Sequence, residues 1–126
     1  MRYRNDVIFL GRQPLDGIAK LVAGAYAMLY VSLFECFGVP PIEAMQCGVP
    51  VITSSTSSMP EICGNAALFA DPLNVQQITE AMISLYDNPA QHLELSTRGT
   101  IQAKKYSWDL SAELLWQSCL KALGEI

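Results

Sequence analysis

The chain has 126 residues, a net charge of −4, and 51% hydrophobic against 16% charged residues. These values fit one globular domain with a real core and exclude a disordered chain. Basic residues do not cluster beyond Lys104-Lys105, which argues against a sequence-independent nucleic-acid footprint, and no apolar run reaches the roughly 20 residues needed to span a bilayer.

In chain order, short apolar runs alternate with stretches of helical periodicity. Val7-Ile8-Phe9-Leu10, ending at Gly11, reads as a buried strand. Residues 15–26 follow as a helix, with Ile18, Leu21, Val22 and Ala25 on one face. Met28 to Val31 is a second strand. Pro41 to Gln46 reads as a helix, with proline in its first turn and Gly48 just past its end. Val49 to Thr53 is a third strand, and the serine-rich run from Thr53 to Ser58 is a loop. Met59 to Cys63 forms a helical turn, and Ala67-Leu68-Phe69 a short fourth strand. Asn74 and Gln77 resemble a capping box for a helix that buries Val75, Ile78, Ala81, Met82 and Leu85. Asn88-Pro89 starts another helix running to about Lys105. Ser107 caps a last one, which carries Leu110, Leu114, Leu115 and Leu120.

Continuously apolar strands separated by helices predict an α/β fold: a Rossmann-like parallel sheet flanked by helices, with a helical tail. There is no internal repeat or linker, so residues 1–126 read as one domain. About four strands are visible where a doubly wound nucleotide-binding domain has about six. The high apolar fraction has two readings, a tightly buried core or a surface that belongs against another domain. Met1-Arg2 precedes polar residues, not an apolar segment, so no signal peptide is expected. Cys36, Cys47, Cys63 and Cys119 show no C-x-x-C spacing and read as reduced, mostly buried thiols of a cytoplasmic protein. His92, the lone histidine, reads as an ordinary surface residue.

The chemistry concentrates between Ser32 and Val51, S-L-F-E-C-F-G-V-P-P-I-E-A-M-Q-C-G-V-P-V. This stretch runs from the carboxyl end of a strand through a glycine turn into a helix, where α/β folds bind ligands. Gly38 lets the backbone come close to a ligand. The helix start near Pro40-Pro41 offers free N–H groups and the positive end of a dipole to an anion. Glu35 and Glu43 flank the turn, with Glu43 in the first turn of the helix, and both are candidates to face one crevice and accept hydrogen bonds from sugar hydroxyls. Each feature also has a plain explanation: Glu43 complements the helix dipole, and Glu35 is a solvated loop residue. Trp108 and Trp116 read as packing residues before stacking platforms.

The same stretch resembles the E-x7-E region of GT-B glycosyltransferases of the family-4 type, matching at Ser32, Glu35, Phe37, Gly38, Pro40, Glu43, Ala44, Met45, Gly48, Pro50 and Val51. The resemblance extends to Val7–Gly11, to Ser58-Met59-Pro60-Glu61, to Asp71-Pro72 and to Tyr106-Ser107-Trp108, so it covers nearly the whole chain. It implies the C-terminal part of a retaining enzyme that takes a sugar from a UDP- or GDP-linked donor. Glu35 would act at the catalytic centre on the donor sugar, and Glu43 would hold the ribose. The amides of Phe37, Gly38 and Val39 would approach the diphosphate, with Arg12 and Gln13 near the base. It also implies no cofactor and no metal, a helix dipole standing in for a cation. Cys36 departs from the usual glycine, Val31 from a common proline. The basic residues that grip the diphosphate, and the acceptor domain, would lie outside this chain; Arg12 and Lys20 do not match the grip. The last helix would then cover another domain or self-associate. Two other readings stay open at this point: a non-catalytic nucleotide- or protein-binding module or one subunit of a split enzyme, and another GT-B enzyme that shares the nucleotide site, such as a sugar-phosphate synthase or an epimerase.

Overall fold

The computed structural model describes residues 3–125. Met1, Arg2 and Ile126 lie outside it, and so does the reading of Met1-Arg2. Three strands, β1 (Met28–Tyr30), β2 (Val51–Ser54) and β3 (Ala67–Ala70), form a parallel sheet in the order β1-β2-β3. Met28 stands opposite Val51, and Val51 opposite Ala67. Six helices surround them: α1 (Leu15–Ala23), α2 (Val39–Gln46), α3 (Met59–Cys63), α4 (Val75–Asp87), α5 (Pro89–Ala103) and α6 (Trp108–Leu123).

Strand β2 shows why the sheet is parallel. All four of its residues are buried, as expected of a central strand covered on both faces. Successive side chains point to opposite faces. Val51 accordingly joins one core, with Met45, Ile62 and Cys63, while Ile52 joins another, with Leu85 and Leu95. Burying each such aliphatic side chain contributes about 1.5–3 kcal/mol. Helix α5 supplies both cores, through Leu95 and Ala103. It lies close to α2 because Gly99 has no side chain: a Cβ there would stand 3.1 Å from Met45 Cγ.

The caps follow the sequence. The Asn88 carboxamide accepts from the Gln91 N–H at 3.0 Å, and the Ser107 hydroxyl from the Leu110 N–H at 3.1 Å. Asn74 accepts from the N–H groups of Gln76 and Gln77. The expected box does not close, however. Gln77 reaches past Asn74 and accepts from the Asp71 N–H at 2.9 Å.

Several expectations are corrected. Val7–Leu10 is not a strand: it joins no ladder, and its side chains are exposed, Phe9 by 92%. An extended run needs a neighbouring strand for its N–H and C=O groups, and among the described residues none lies beside it. Three strands form among the described residues, not four, and the serine run begins inside β2, with Thr53 and Ser54 fully buried. Helix α2 begins at Val39, not Pro41, because Gly38 adopts φ 103° and caps it; Glu43 is thus its fifth residue, beyond the first turn. Ile18 and Leu21 of α1 and Val75 and Met82 of α4 are exposed, since neither helix has a second layer over it. Only Cys63 of the four free thiols is buried. His92 is half-buried, its Nε2 2.9 Å from the Tyr26 carbonyl oxygen and its ring against the Tyr26 ring. No residue of α6 is buried, and Trp108 is 85% exposed.

Candidate functional site

The carboxyl end of β1 carries a polar cluster. Tyr30 and Ser32 lie two apart, so their side chains fall on the same side of the chain, and the turn brings Glu35 back to them. The Tyr30 hydroxyl donates to Glu35 Oε1 at 2.6 Å, and the Ser32 hydroxyl donates to the same oxygen at 2.9 Å. Oε2 has no partner among the described residues. The hydrogen bond from Tyr30, then that from Ser32, holds the Glu35 carboxyl below the ordinary carboxylate range. The hydrogen bond to Glu35, followed by burial, pushes the Tyr30 phenol up. Both shifts favour an ionised carboxylate facing a neutral phenol.

Neighbouring strands and loops fix this arrangement. The buried Thr53 hydroxyl donates to the Tyr30 carbonyl at 2.8 Å, and the buried Ser54 hydroxyl donates to the Ser32 carbonyl. Buried hydroxyls in a central strand need partners, and here they tie down the last residues of β1. Ser57, at φ 63°, holds the turn from the other side. Its hydroxyl accepts from the Glu35 N–H at 2.9 Å and donates to the Glu35 carbonyl. The Ser58 hydroxyl lies 2.9 Å from the Phe37 carbonyl oxygen and donates toward it.

The turn then enters α2. Prolines at positions 40 and 41 remove two of the N–H groups that a helix start leaves unpaired. Those of Phe37, Gly38 and Val39 remain, and they make no hydrogen bond among the described residues. Phe37 packs edge-on against Tyr106, ring centroids 5.7 Å apart. Beside this pair a groove of about 440 Å³ opens between α2 and the first turn of α6, lined by Val39, Glu43, Gln46 and Trp108 among others.

The expected site residues therefore divide. Phe37, Val39 and Glu43 line the groove, and Gly38, buried between Phe37 and Val39, does not. Glu35 does not line it; the two glutamates bracket the turn without sharing one cavity. Arg12 and Gln13 sit in an exposed segment away from the groove, with Gln13 Nε2 donating to the Leu10 carbonyl. Lys20 pairs with Asp16 on the surface at 3.4 Å. No group of three or more metal-ligating side chains occurs among the described residues, and no helix there is long and apolar enough to cross a membrane. Tyr30, Thr53, Ser54 and Ser57 were not singled out from the sequence as parts of the site. The available signals were the Tyr-x-Ser spacing before Glu35 and two hydroxyls at the end of an apolar strand.

A parallel α/β sheet with carboxylates, hydroxyls and free amides gathered at the carboxyl ends of its strands belongs to the ligand-binding class of open sheets. Residues 1–105 match the family of glycosyl transferases group 1, and the chain belongs to that family. Over 101 residues, 80% of this chain and 26% of the relative, it is 39% identical to O-antigen chain mannosyltransferase B of Escherichia coli. Over 111 residues, 88% of this chain, it is 33% identical to the serotype-specific mannosyltransferase WbdA of Escherichia coli, of which it covers 14%. The sucrose-phosphate synthase of Thermosynechococcus elongatus, which has the GT-B fold, superposes with a TM-score of 0.81 at 25% identity, over 96% of this chain and 32% of that one. The chain thus spans a third or less of the length of these relatives.

Proposed function

We propose that this chain is the donor-binding part of a retaining, family-4 type glycosyltransferase acting in the cytoplasm. The observation that carries the reading is the turn itself: an ionised, hydroxyl-braced Glu35, three free amides, and Glu43 on the helix that follows. A nucleotide sugar offers matching chemistry. Its diphosphate suits the amides of Phe37, Gly38 and Val39 and the positive end of the α2 dipole. Its ribose hydroxyls suit Glu43, and a hydroxyl of the transferred sugar suits Glu35 Oε2. The base would lie toward Arg12 and Gln13, beyond the residues that line the groove. The C1–O bond to the diphosphate breaks, the diphosphate leaves with the electron pair, the acceptor oxygen bonds to C1 on the same face, and the acceptor's hydroxyl proton passes to the departing diphosphate oxygen. No metal enters this scheme.

Both curated relatives described above carry the name mannosyltransferase, and the first is named for an O-antigen chain. A mannosyl donor and a polysaccharide acceptor are therefore the first to test. With Arg12 and Lys20 away from the groove, this chain alone should hold a donor weakly and not turn it over. The bare surface of α6 favours a further point, that this helix covers another domain, a separate subunit or a second copy; it is also what a purely binding module would show. Calorimetry with GDP and UDP, beside Glu43→Ala, tests the reading. Millimolar binding to one nucleotide that the substitution removes supports it. Equal binding by both proteins overturns the role of Glu43, and no binding by either overturns an autonomous donor site.

A further inference from the structure

We propose that Tyr30 is the positioning residue of the site: with Ser32, it locks one oxygen of Glu35 so that the other faces the donor sugar in a single orientation. This rests on the donor-site reading above and deepens it. A glutamate on a loop ordinarily samples several rotamers, and a ligand that selects one must overcome that freedom. Here Oε1 already accepts from two hydroxyls, at 2.6 and 2.9 Å, so the side chain is ordered before anything binds.

The lock is itself held at each attachment. Tyr30 lies in β1, paired with Thr53, whose hydroxyl also binds its carbonyl. Ser32 is tied to the buried Ser54. The Glu35 backbone is clasped on both its N–H and its carbonyl by Ser57. No basic side chain hydrogen-bonds to Glu35 among the described residues. Its charge is thus balanced by hydroxyl donors, which leaves Oε2 a strong acceptor for a neutral sugar hydroxyl. The chemical class selected is a hexosyl donor with a hydroxyl directed at Oε2, and a deoxy analogue lacking that hydroxyl would gain nothing from the lock.

The test uses the whole chain and two readouts. First, the Glu35 carboxyl is titrated by carbon-detected NMR in the parent chain, Tyr30→Phe and Ser32→Ala. Both substitutions should raise its midpoint toward the ordinary carboxylate range, Tyr30→Phe the more. An unchanged midpoint in Tyr30→Phe overturns the lock, and Ser32→Ala decides the matter if Tyr30→Phe fails to fold. Second, GDP-mannose and GDP are compared as probes. The extra affinity of the sugar nucleotide should fall about five- to tenfold in Tyr30→Phe, while GDP affinity stays unchanged. A sugar increment that survives the substitution overturns the positioning role. If the parent chain binds neither probe, the donor-site reading fails, and the lock still stands or falls on the carboxyl titration.

Discussion

Gly38 sits directly over Met59: a Cβ on Gly38 would lie 2.2 Å from Met59 Cε and 3.2 Å from its Sδ. Met59 is fully buried, so the flexible end of its side chain would have to shift to admit a Cβ, and Gly38 holds φ 103°. The glycine is therefore needed on two counts, both independent of any ligand. Close approach to a substrate, the reason the sequence suggests, is at most a third. Gly38→Ala should cost about 1–3 kcal/mol from backbone strain, with the Met59 clash added. Urea denaturation measures it. A cost below about 0.5 kcal/mol would contradict the strain argument, and activity lost in such a variant would then report on the ligand.

Cys63 gives a pH signature. Burial pushes its thiol up from 9.0 to about 11. The folded state then binds more protons than the unfolded state between these values, so stability falls as pH rises through that window and is unaffected below it. Denaturation midpoints at pH 8, 9, 10 and 11 follow this, with Cys63→Ala as the control that removes the Cys63 share and leaves the fall due to the raised Tyr30 and Tyr106 phenols. Alkylation at pH 8 gives a second check. Cys36, Cys47 and Cys119 are exposed and should label in the folded chain, and Cys63 only after unfolding.

Much of the fold was legible because its cues are local. Asn74, Asn88 and Ser107 act as caps at the expected places, and the V-I-T run of β2 has the continuous apolar character of a central parallel strand. Val7–Leu10 has the same character and yet forms no strand, because a strand is a property of two segments and only one is legible in a four-residue run. The site divided along similar lines. Glu35, Phe37, Gly38, Val39 and Glu43 lie within nine residues of one another, so they are legible as one candidate segment. The bracing of Glu35 by Ser57, 22 positions away, depends on where the loop after β2 falls, which no spacing rule gives. Helix α6 looked amphipathic through Leu110, Leu114 and Leu115, but what its apolar side covers is not a local property.

That helix supplies the next prediction. No side chain of α6 is buried, so a chain ending at Ser107 should keep its melting temperature to within about 2 °C. Sedimentation equilibrium should show the parent chain associating with rising concentration and the shortened chain associating less, since exposed Leu114, Leu115 and Trp116 leave with the helix. A shortened chain that melts much earlier would mean that α6 packs in solution on residues that it does not cover here.

The central claim is that the turn between β1 and α2 receives the nucleotide end of a sugar donor. Amide-detected NMR of the chain during titration with GDP-mannose tests it most directly. Saturable shifts are expected at Glu35, Phe37, Gly38, Val39 and Glu43, with little change around Tyr26, Leu29 and Tyr86, which line a second cavity of about 390 Å³. Shifts centred on that second cavity, or none in the turn at millimolar donor, would contradict it.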